Sequence, residues 1–558
     1  MPERAPTAFF RTITFLVAPL LAAACAGRAP STTGSDAAGG AAGASNSTGG
    51  TNGIGGSGTG AGGTATGTGG RAAGGTKGGS DGGAGRAADG GVDRGANPDA
   101  MSGMMRGPVT AATGTTLVKV NTSVPHQHFE GWGTSLCWWA NHVGGWAEAN
   151  RNALVDNLVD ATNGLGYNVF RYNIGGGDNP THTHMGQWKN IPGFEPSSGT
   201  WDWTADANQR AILQRIVTSG GSGVVLEAFS NSPPYWMTSS GCASGATNGA
   251  NNNLLDGSYN AFADYLTEVV KHYRDTWGIT FRTLEPLNEP NATWWAALGG
   301  QEGCRFDGAH QPTILKAVAA SLTAKGLTGT TVSASDENSI DDGYNIMHGY
   351  DATTLAGMSQ MNVHTYSGSM RTNLRALATT DGKRLWASES GPLNQTLADD
   401  TAAAVFMAGR IMTDLRDLQA EAWVDWQAGD PSANWASYTL NDTQQSFGFL
   451  RRYYMHAAFS RYIRPGATFV DVNNANMVAA VSPDGTRVAI VVVNSSTTAS
   501  AGFTFDLTSL PTVGTAAEVH RVSRAENLVA LTPLAIQNYS FVATVAPYSI
   551  TTFVVPMP

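Results

Sequence analysis

The stretches TFRTLEPLNE, residues 280–289, and RLWASES, residues 384–390, decide the fold. Each is a short run of apolar and β-forming residues with an acid at or beside its end, Glu289 in the first and Glu389 in the second. Six other runs are also short and rich in apolar and β-forming residues: 131–139, 167–175, 223–230, 331–338, 360–366 and 420–427. Segments with apolar residues at helical spacing, such as 261–277, lie between the runs. Eight strands alternating with helices predict an α/β fold, a (β/α)8 TIM barrel.

The sequence pattern changes after Pro465. Short strands follow one another without helices, and turn residues separate them. This pattern predicts a C-terminal antiparallel β-sandwich over residues 466–558. The catalytic barrel would then span residues 114–465, and an early strand at 115–123 is a candidate to join the sandwich.

The N-terminal segment has the form of an export signal. Residues 1–25 carry Arg4 and Arg11, followed by an apolar run that ends in small residues and Cys25. The end of this run, LAAAC, resembles a bacterial lipoprotein processing site, so two outcomes stay open: a lipid on Cys25 that tethers the protein to a membrane, or ordinary cleavage. Residues 26–113 are almost all Gly, Ala, Ser and Thr, which predicts a disordered linker. We expect a protein that is secreted or anchored to the outer surface of a bacterial cell.

Composition narrows the class of partner. The formal net charge of −10, with only 14% charged residues, argues against a nucleic-acid-binding surface. The 15 Trp residues, many beside Gly, Asn or Asp, suit flat faces that stack on sugars, although core packing is the better explanation for any single one. The sequence has no HExxH pattern, and we expect His182 and His184 in THTH to be ordinary loop residues. The sequence therefore predicts no metal and no cofactor.

The first stretch contains two acids that are predicted to lie at different depths in the barrel. Alternation places Glu285 and Glu289 on one face, with Glu285 deeper, before Pro286, and Glu289 at the rim. Glu285 is therefore expected to be a structural acid. Glu389 ends the seventh barrel strand, which lies across the mouth from the fourth. Two facing carboxylates are what glycosidic bond cleavage requires. Asn288 reaches the site only if the strand end twists or bulges.

A set of motifs resembles glycoside hydrolase family 30, and in particular its endo-β-1,6-galactanases. The motifs are FEGWGTSLCWWAN (129–141), FRYNIGG (170–176), SNSPPYWMTSSG (230–241), LEPLNEP (284–290), QEGC (301–304), VHTY (363–366) and SESG (388–391). The resemblance runs from about residue 115 to the C-terminus. It implies a barrel fused to a sandwich, a galactan or arabinogalactan substrate, and a double displacement that retains anomeric configuration.

The resemblance also implies roles for individual residues. Glu289 of the NEP motif corresponds to the acid/base, and Glu389 of the SESG motif to the nucleophile. Asn288 resembles an Asn that hydrogen-bonds the sugar 2-OH. Arg171 resembles an Arg that lies against the nucleophile, where its charge would keep the carboxylate ionised.

Further candidate substrate residues lie at other strand ends. Tyr366 and Trp426 resemble residues that shape the subsite where the bond breaks. Asn231 and Ser135 stand where family members that cleave glucosylceramide have Trp and Asp, which argues against a glucosyl lipid substrate. His364 ends a barrel strand and is a candidate for the same site.

The loops after the strands supply two more predictions. Trp294 and Trp295 lie just beyond the acid/base and are candidates for sugar platforms. Cys242 follows the third strand and Cys304 the fourth, so we expect a disulfide between neighbouring loops, with Cys137 a buried free thiol.

Three hypotheses for function follow. The first is a secreted, monomeric, retaining endo-β-1,6-galactanase. The second is another family 30 β-glycosidase, acting on β-1,6-glucan, xylan or a fucoside. The third is a tethered carbohydrate-binding protein with an inactive barrel, and the presence of both Glu289 and Glu389 argues against it.

Overall fold

The computed structural model describes residues 106–392, 397–431 and 435–558. The predicted signal peptide, residues 1–25, and most of the predicted linker, residues 26–113, lie outside the described residues. Among the residues described, no helix combines the length and the apolar character needed to cross a membrane.

One strand precedes the barrel, and eight parallel strands form it. The first is β1 (Thr116–His128), and the barrel strands are β2 (Gly131–Ser135), β3 (Val169–Asn173), β4 (Val225–Phe229), β5 (Thr283–Glu285), β6 (Thr331–Ser339), β7 (Met358–Ser367), β8 (Arg384–Ser390) and β9 (Ala422–Asp425). Neighbours pair in chain order, and β9 closes on β2, with Val424 beside Gly133. All eight predicted strands, and with them the TIM-barrel class, are confirmed.

Helices connect the strands and cover the outside of the barrel. They are α1 (Trp139–Val143), α2 (Glu148–Val159), α3 (Ala207–Gly220), α4 (Tyr259–Trp277), α5 (Gln311–Ala324), α6 (Ile340–Met347), α7 (Ala352–Gly357), α8 (Arg371–Asp381), α9 (Asp400–Thr413) and α10 (Arg451–Ser460). The longest, α4, buries Phe262, Leu266, Val269 and Tyr273, which recur at three- and four-residue spacing. It ends at Gly278, whose left-handed conformation is the usual helix stop.

The C-terminal region forms a sheet that includes β1. Its other strands are β13 (Thr468–Val472), β14 (Met477–Val481), β15 (Arg487–Asn494), β16 (Ala501–Asp506), β17 (Ala516–Val522), β18 (Val529–Ala535), β19 (Ser540–Val545) and β20 (Ser549–Pro556). The order of these described strands is β18-β17-β20-β15-β14-β13-β1-β16-β19. The predicted place of the early strand in this region is confirmed. One pairing departs from the antiparallel prediction, because β1 runs parallel to β16.

The two ends of this sheet meet. The edge strands β18 and β19 are joined by a short turn in which Asn538 and Tyr539 have positive φ. The sheet therefore folds over on itself and encloses Phe505, Phe541 and Phe553, whose rings lie 4.5 to 5.4 Å apart. The sequence did not predict β18 or β19.

Three short strands lie between the barrel and α10. They are β10 (Gly429–Asp430), β11 (Tyr438–Asn441) and β12 (Ser446–Phe449), and they form a separate small sheet. The sequence did not predict these strands either.

Helix α10 joins the sheet to the barrel. Arg452 donates to Asp425 Oδ1 at 2.6 Å, at the end of β9, and both side chains are fully buried. On the other side, Thr552 of β20 donates to the carbonyl of Ala458 at 2.6 Å. These contacts make the sandwich a support for the barrel.

The last part of the predicted linker contacts the sandwich. The guanidinium of Arg106 lies 3.9 Å from the ring centre of Tyr539, and the Ala112 N–H donates to Thr504 Oγ1 at 3.0 Å. Residues 106–113 therefore form part of the folded region, which begins earlier than the predicted domain boundary at residue 114.

Candidate active site

Glu289 reaches the barrel rim because the chain leaves the ladder before it. β5 ends at Glu285, and Pro286 follows, which lacks the N–H that a ladder needs. Glu289 has a φ of +46°, in the left-handed region, and its N–H donates to the carbonyl of Asp336 at 2.8 Å. The predicted departure from strand geometry next to Asn288 is therefore confirmed.

The two candidate catalytic acids lie close together. Nδ1 of His364 lies 3.2 Å from Oε1 of Glu289 and 3.3 Å from Oε1 of Glu389. One ligand atom from each of these three residues lies within 4.8 Å of the others. Retaining glycosidases hold their carboxyl groups about 5–5.5 Å apart, whereas inverting enzymes need about 6.5–9.5 Å to admit a water. The spacing here suits direct attack by one of the carboxylates.

His364 is a buried cation between these acids. Its Nδ1 faces Glu289 and Glu389, and its Nε2 lies 3.3 Å from Oδ2 of Asp336. Burial lowers the pKa of His364, but the charges of Glu389 and Asp336 outweigh it and raise the pKa to about 10. The predicted substrate contact is wrong, since the side chain is fully buried. His364 sets the charge of the site instead.

Glu389 has its own set of partners. The Tyr366 hydroxyl donates to Oε1 at 2.9 Å, and Arg171 Nη1 lies 3.7 Å from Oε2. Among the described residues, Oε2 has no hydrogen-bond partner, which leaves this oxygen available to attack. Burial raises the pKa of Glu389, His364 and Arg171 oppose that rise, and the charge of Glu289 adds to it, so the pKa lies at about 7.

Arg171 forms the floor of the site, below Glu389. Its Nε donates to Glu227 Oε1 at 2.8 Å, and its Nη2 donates to Asp336 Oδ2 at 2.5 Å. Burial raises the pKa of Asp336, but Arg171 and His364 outweigh it and hold that pKa well below its usual value. The predicted position of Arg171 beside Glu389 is confirmed, but complete burial rules out direct contact with substrate.

Glu285 lies inside the barrel. It is fully buried, its Oε1 accepts from the Leu287 N–H at 3.3 Å, and its Oε2 accepts from Asn362 Nδ2 at 3.3 Å. Burial raises the pKa of Glu285 well above its usual value, and the charges of Asp336 and Glu227 add to that rise. The predicted burial of Glu285 below the catalytic pair is confirmed.

Unpaired polar atoms adjoin the acids. Among the described residues, Asn288 Oδ1, Asn231 Oδ1 and Trp138 Nε1 are buried without a hydrogen-bond partner. Asn231 Nδ2 lies 3.5 Å from Sγ of Cys137. Burial raises the pKa of the Cys137 thiol, and the charges of Glu302 and Glu389 add to it, so Asn231 and Cys137 lie near Glu389. Unpaired buried groups are costly, and sugar hydroxyls are natural partners for them.

Aromatic rings line the same side of the barrel mouth. Trp426, directly after β9, meets Trp138 edge to face with ring centres 5.1 Å apart. A Cβ on Gly391 would lie 2.8 Å from the Trp435 ring and 3.3 Å from the Tyr366 ring. Trp435 and Tyr366 therefore flank the backbone at Gly391, directly after β8, the strand that contains Glu389. The sequence analysis did not single out Trp435.

The two tryptophans after the acid/base differ in role. Trp295 is buried, and its Nε1 donates to the carbonyl of Glu289 at 3.1 Å. A Cβ on Gly303 would lie 2.1 Å from the Trp295 ring, so the ring fits closely over that glycine. The prediction of a sugar platform is therefore wrong for Trp295, which holds the backbone of Glu289. Trp294 has an exposed fraction of 51% and remains a candidate platform.

The predicted disulfide is wrong. Cys242 and Cys304 are both free and buried. Sγ of Cys242 lies 4.0 Å from Nδ1 of His182, whereas Sγ of Cys304 donates to the carbonyl of Arg305 at 3.7 Å. Each thiol therefore has a different neighbour. Cys137 is a buried free thiol, as predicted.

The structure also brings together three side chains whose chemistry could hold a metal ion. His182 and His184 lie with Cys242 so that one ligand atom from each is within 4.8 Å of the others. Cys242 is 60 positions from His182, on a different loop, so spacing along the chain could not reveal the cluster.

Two further site residues were missed. Asp336 contacts both Arg171 and His364, and Asn338 Nδ2 donates to Oε1 of Glu289. Both end the predicted strand TVSASDEN, residues 331–338. The rule that polar residues at barrel strand ends face the site could have found them.

The barrel, the sandwich and the acid pair define a glycoside hydrolase. The family model for O-Glycosyl hydrolase family 30 matches residues 115–380. The endo-beta-1,6-galactanase of Hypocrea rufa is 34% identical over 413 residues, which cover 69% of this chain and 82% of that protein. The chain therefore belongs to glycoside hydrolase family 30.

Two other similar proteins are more distant. The exo-beta-1,6-galactobiohydrolase of Bifidobacterium longum subsp. longum is 26% identical over 404 residues, which cover 54% of this chain and 26% of that protein. The catalytic domain of GH30 xylanase C from Talaromyces cellulolyticus superposes with a TM-score of 0.62 at 18% identity, covering 79% of this chain and all of that one. The structural match supports the fold alone.

Proposed function

We propose that the protein is a retaining endo-β-1,6-galactanase in which Glu389 is the nucleophile and Glu289 the acid/base. The observation that carries this proposal is the acid pair, whose carboxylate oxygens and shared His364 nitrogen lie within 4.8 Å of one another. That separation is too short for a water between the acids, and it matches the geometry of double displacement.

The neighbours of each acid assign the roles. Glu389 has Arg171 at 3.7 Å and the Tyr366 hydroxyl at 2.9 Å, both of which favour its ionised form. Among the described residues, the cation that contacts Glu289 is His364, which also contacts Glu389. Oε1 of Glu289 also accepts a hydrogen bond from Asn338. Double displacement needs Glu389 ionised and a proton on Glu289 when the substrate binds.

In the first step, Oε2 of Glu389 attacks the anomeric carbon while Glu289 gives its proton to the departing glycosidic oxygen. Tyr366 holds Oε1 of Glu389, which leaves Oε2 to form the new bond. The product is a covalent glycosyl ester on Glu389 and a free sugar hydroxyl.

In the second step, the esterified Glu389 no longer carries a negative charge, and Glu289 is now ionised. Glu289 takes a proton from water, and the water oxygen attacks the anomeric carbon from the face opposite the ester, which breaks the bond to Oε2 and releases Glu389 as a carboxylate. Two inversions restore the original configuration. Asp336 stays next to Nε2 of His364 in both steps, so one of the carboxylates that favour the protonated imidazole is kept throughout.

Sequence similarity supports the substrate. The relatives from Hypocrea rufa and Bifidobacterium longum subsp. longum are both named for β-1,6-linked galactose chains. The relative at 34% identity is an endo-acting enzyme, and the similarity covers 82% of it. We therefore expect internal cleavage of β-1,6-galactan.

The substrate is tested by incubating the purified protein with β-1,6-galactan, β-1,6-glucan and xylan. Product size is followed over time, and proton NMR reports the anomer formed first. We expect short galactose oligomers with the β anomer first. Galactose alone would show exo action, hydrolysis of glucan or xylan only would reject the substrate, and the α anomer first would reject the mechanism.

Substitution of each acid tests the roles. We expect Glu389→Gln to lower kcat on galactan by at least about 10³-fold, since no nucleophile remains. Glu289→Gln should lose galactan hydrolysis to a similar extent, yet still react with an aryl galactoside whose leaving group needs no proton, and azide should restore its turnover. Azide rescue of Glu389→Gln with retained configuration, and none of Glu289→Gln, would reverse the assignment.

Export stays a prediction from residues 1–25, as do anchoring through Cys25 and the monomeric state. Fractionation of bacterial cells that express the full chain tests the anchor. A lipid on Cys25 predicts membrane-associated enzyme that is released by Cys25→Ser, whereas the same soluble distribution for both chains would exclude the anchor.

A further inference from the structure

A cluster of side chains that could hold a metal ion lies on loops that follow barrel strands β3 and β4. We call His182, His184 and Cys242 the His–Cys cluster. The two histidines lie on the loop after β3, and Cys242 on the loop after β4. Cys242 is buried, and both histidines are half-buried. The proposed galactanase mechanism uses none of them.

The hydrogen bonds of His184 determine which nitrogen is free. Its Nδ1 lies 2.7 Å from the carbonyl oxygen of Gly299, which can only accept, so Nδ1 carries a proton. Its Nε2 is buried and, among the described residues, has no hydrogen-bond partner. A ring N–H held by a backbone carbonyl is the arrangement that orients metal-bound histidines.

An acidic side chain faces the same nitrogen. Oδ1 of Asp178 lies 3.2 Å from Nε2 of His184, and the Asp178 side chain is only 2% exposed. Its Oδ2 accepts from the backbone N–H groups of His184 and Met185 at 2.9 and 3.2 Å, which fixes the carboxylate in place. The lone pair of His184 Nε2 and the carboxylate of Asp178 therefore face each other in a buried position.

We infer that the His–Cys cluster, with Asp178, binds one Zn²⁺ ion. A thiolate and two imidazoles supply three of the four ligands of a tetrahedral zinc site, and Asp178, whose Oδ1 lies 3.2 Å from Nε2 of His184, would supply the fourth after a side-chain movement. Sγ of Cys242 and Nδ1 of His182 are 4.0 Å apart, and ligand atoms on one tetrahedral zinc lie about 3.5 Å apart, so small side-chain movements close the site.

The ion would be structural, because it joins the loops that form the cleft. The loops after β3 and β4 already share a hydrogen bond from Asn179 Nδ2 to the Gly241 carbonyl at 3.1 Å. Through His184 the cluster also reaches Gly299, on the loop that carries Trp294 and Trp295. The zinc therefore fixes three loops of the substrate cleft.

Cobalt provides the direct test, since Co²⁺ occupies zinc sites and reports a thiolate ligand by a charge-transfer band in the near ultraviolet. The purified full-length chain is treated with a chelator, dialysed and titrated with Co²⁺. We expect one equivalent to bind with this band, and Zn²⁺ to displace it. We also expect elemental analysis of untreated protein to find about one zinc per chain.

Substitutions locate the site. Cys242→Ser should lose the charge-transfer band and weaken binding at least about tenfold. The matched control is Cys304→Ser, which removes a buried thiol that contacts Arg305, and it should bind as the wild type does. His182→Ala changes a partly exposed residue and should also weaken binding, which covers the case in which Cys242→Ser does not fold.

Three outcomes would overturn the inference: no stoichiometric binding, wild-type binding by Cys242→Ser, or binding that Glu289→Gln abolishes and His182→Ala does not. If no metal binds, the contacts of the cluster are a hydrogen bond between Cys242 and His182 and an ion pair between His184 and Asp178. The last would place the ion at the acid pair.

Discussion

At the scale of single residues, His364 controls the charge of the site. It contacts both catalytic acids and Asp336, so its proton neutralises part of a group of three carboxylates. Arg171 supplies the second buried cation, 3.7 Å from Glu389. The two cations favour ionised Glu389 despite its burial.

Replacing His364 should shift the pH profile. Glu389 has a pKa raised to about 7 and acts in its ionised form, so activity falls as the pH drops through that value. The positive charge of His364 lowers this pKa, so His364→Gln should move the acidic limb of kcat/KM to higher pH and lower the maximum rate. Rates measured from pH 4 to pH 9 with an aryl galactoside check this.

A matched control is His142→Gln, at a buried histidine that contacts Asp442 rather than the acid pair. Its acidic limb should coincide with that of the wild type. An unchanged profile for His364→Gln would mean that His364 does not set the charge of Glu389.

Glu285 is expected to contribute to stability rather than to catalysis. Burial keeps the pKa of Glu285 well above its usual value and so favours the neutral carboxyl, which an amide replaces with little change in charge. Glu285→Gln should reduce stability by about 1–3 kcal/mol, through its hydrogen bonds to Leu287 and Asn362, and leave kcat within about threefold. Thermal unfolding and galactan hydrolysis on the same preparation measure both. Complete loss of turnover in a folded variant would give Glu285 a catalytic role.

At the scale of elements, the loop after β5 positions the acid/base. Trp295 packs over Gly303 and donates to the Glu289 carbonyl, so packing within the loop is transmitted to the catalytic residue. The left-handed φ of Glu289 is held by this contact and by the hydrogen bond to Asp336.

Gly303→Ala should disturb this loop. The new Cβ would lie 2.1 Å from the Trp295 ring, so Trp295 must move, at a cost of about 1–3 kcal/mol in stability and with a lower kcat. Gly300→Ala is the control on the same loop, since no atom lies within 4 Å of its Cβ. Equal melting temperatures and rates for the two variants would show that Trp295 does not position Glu289.

The elements also show what sequence can predict. The barrel strands are apolar and buried, so their composition identifies all eight, and the family motifs point to Glu289 and Glu389, which the fold brings together. The edge strand β18 contains Pro533 and is mostly exposed, so it lacks the pattern of a buried strand. The partners of Cys242 and the burial of Trp295 depend on contacts between loops, which no local pattern records.

At the scale of the whole molecule, the sandwich depends on a strand from the other end of the chain. β1 lies between β13 and β16, and its Val118 and Val120 are fully buried in the sandwich core. The sheet is therefore incomplete without residues that precede the barrel.

Two truncations test this dependence. A chain that begins at residue 114 keeps β1 and should fold, with a small loss of stability from the missing Arg106 and Ala112 contacts. A chain that begins at residue 130 lacks β1 and should aggregate or remain unfolded, because β13 and β16 each lose a neighbour. Size-exclusion chromatography and circular dichroism compare them. A soluble, folded and active second chain would contradict the prediction.

The position of β1 also sets an order of events during synthesis. Val120 pairs with Val472, a partner made 472 − 120 = 352 residues later. The ribosome therefore releases β1 long before β13 and β16 exist, and its edges stay open while the whole barrel is translated. Folding of the sandwich can finish only after nearly all of the chain has been made, and until then an early-made strand is exposed to wrong partners.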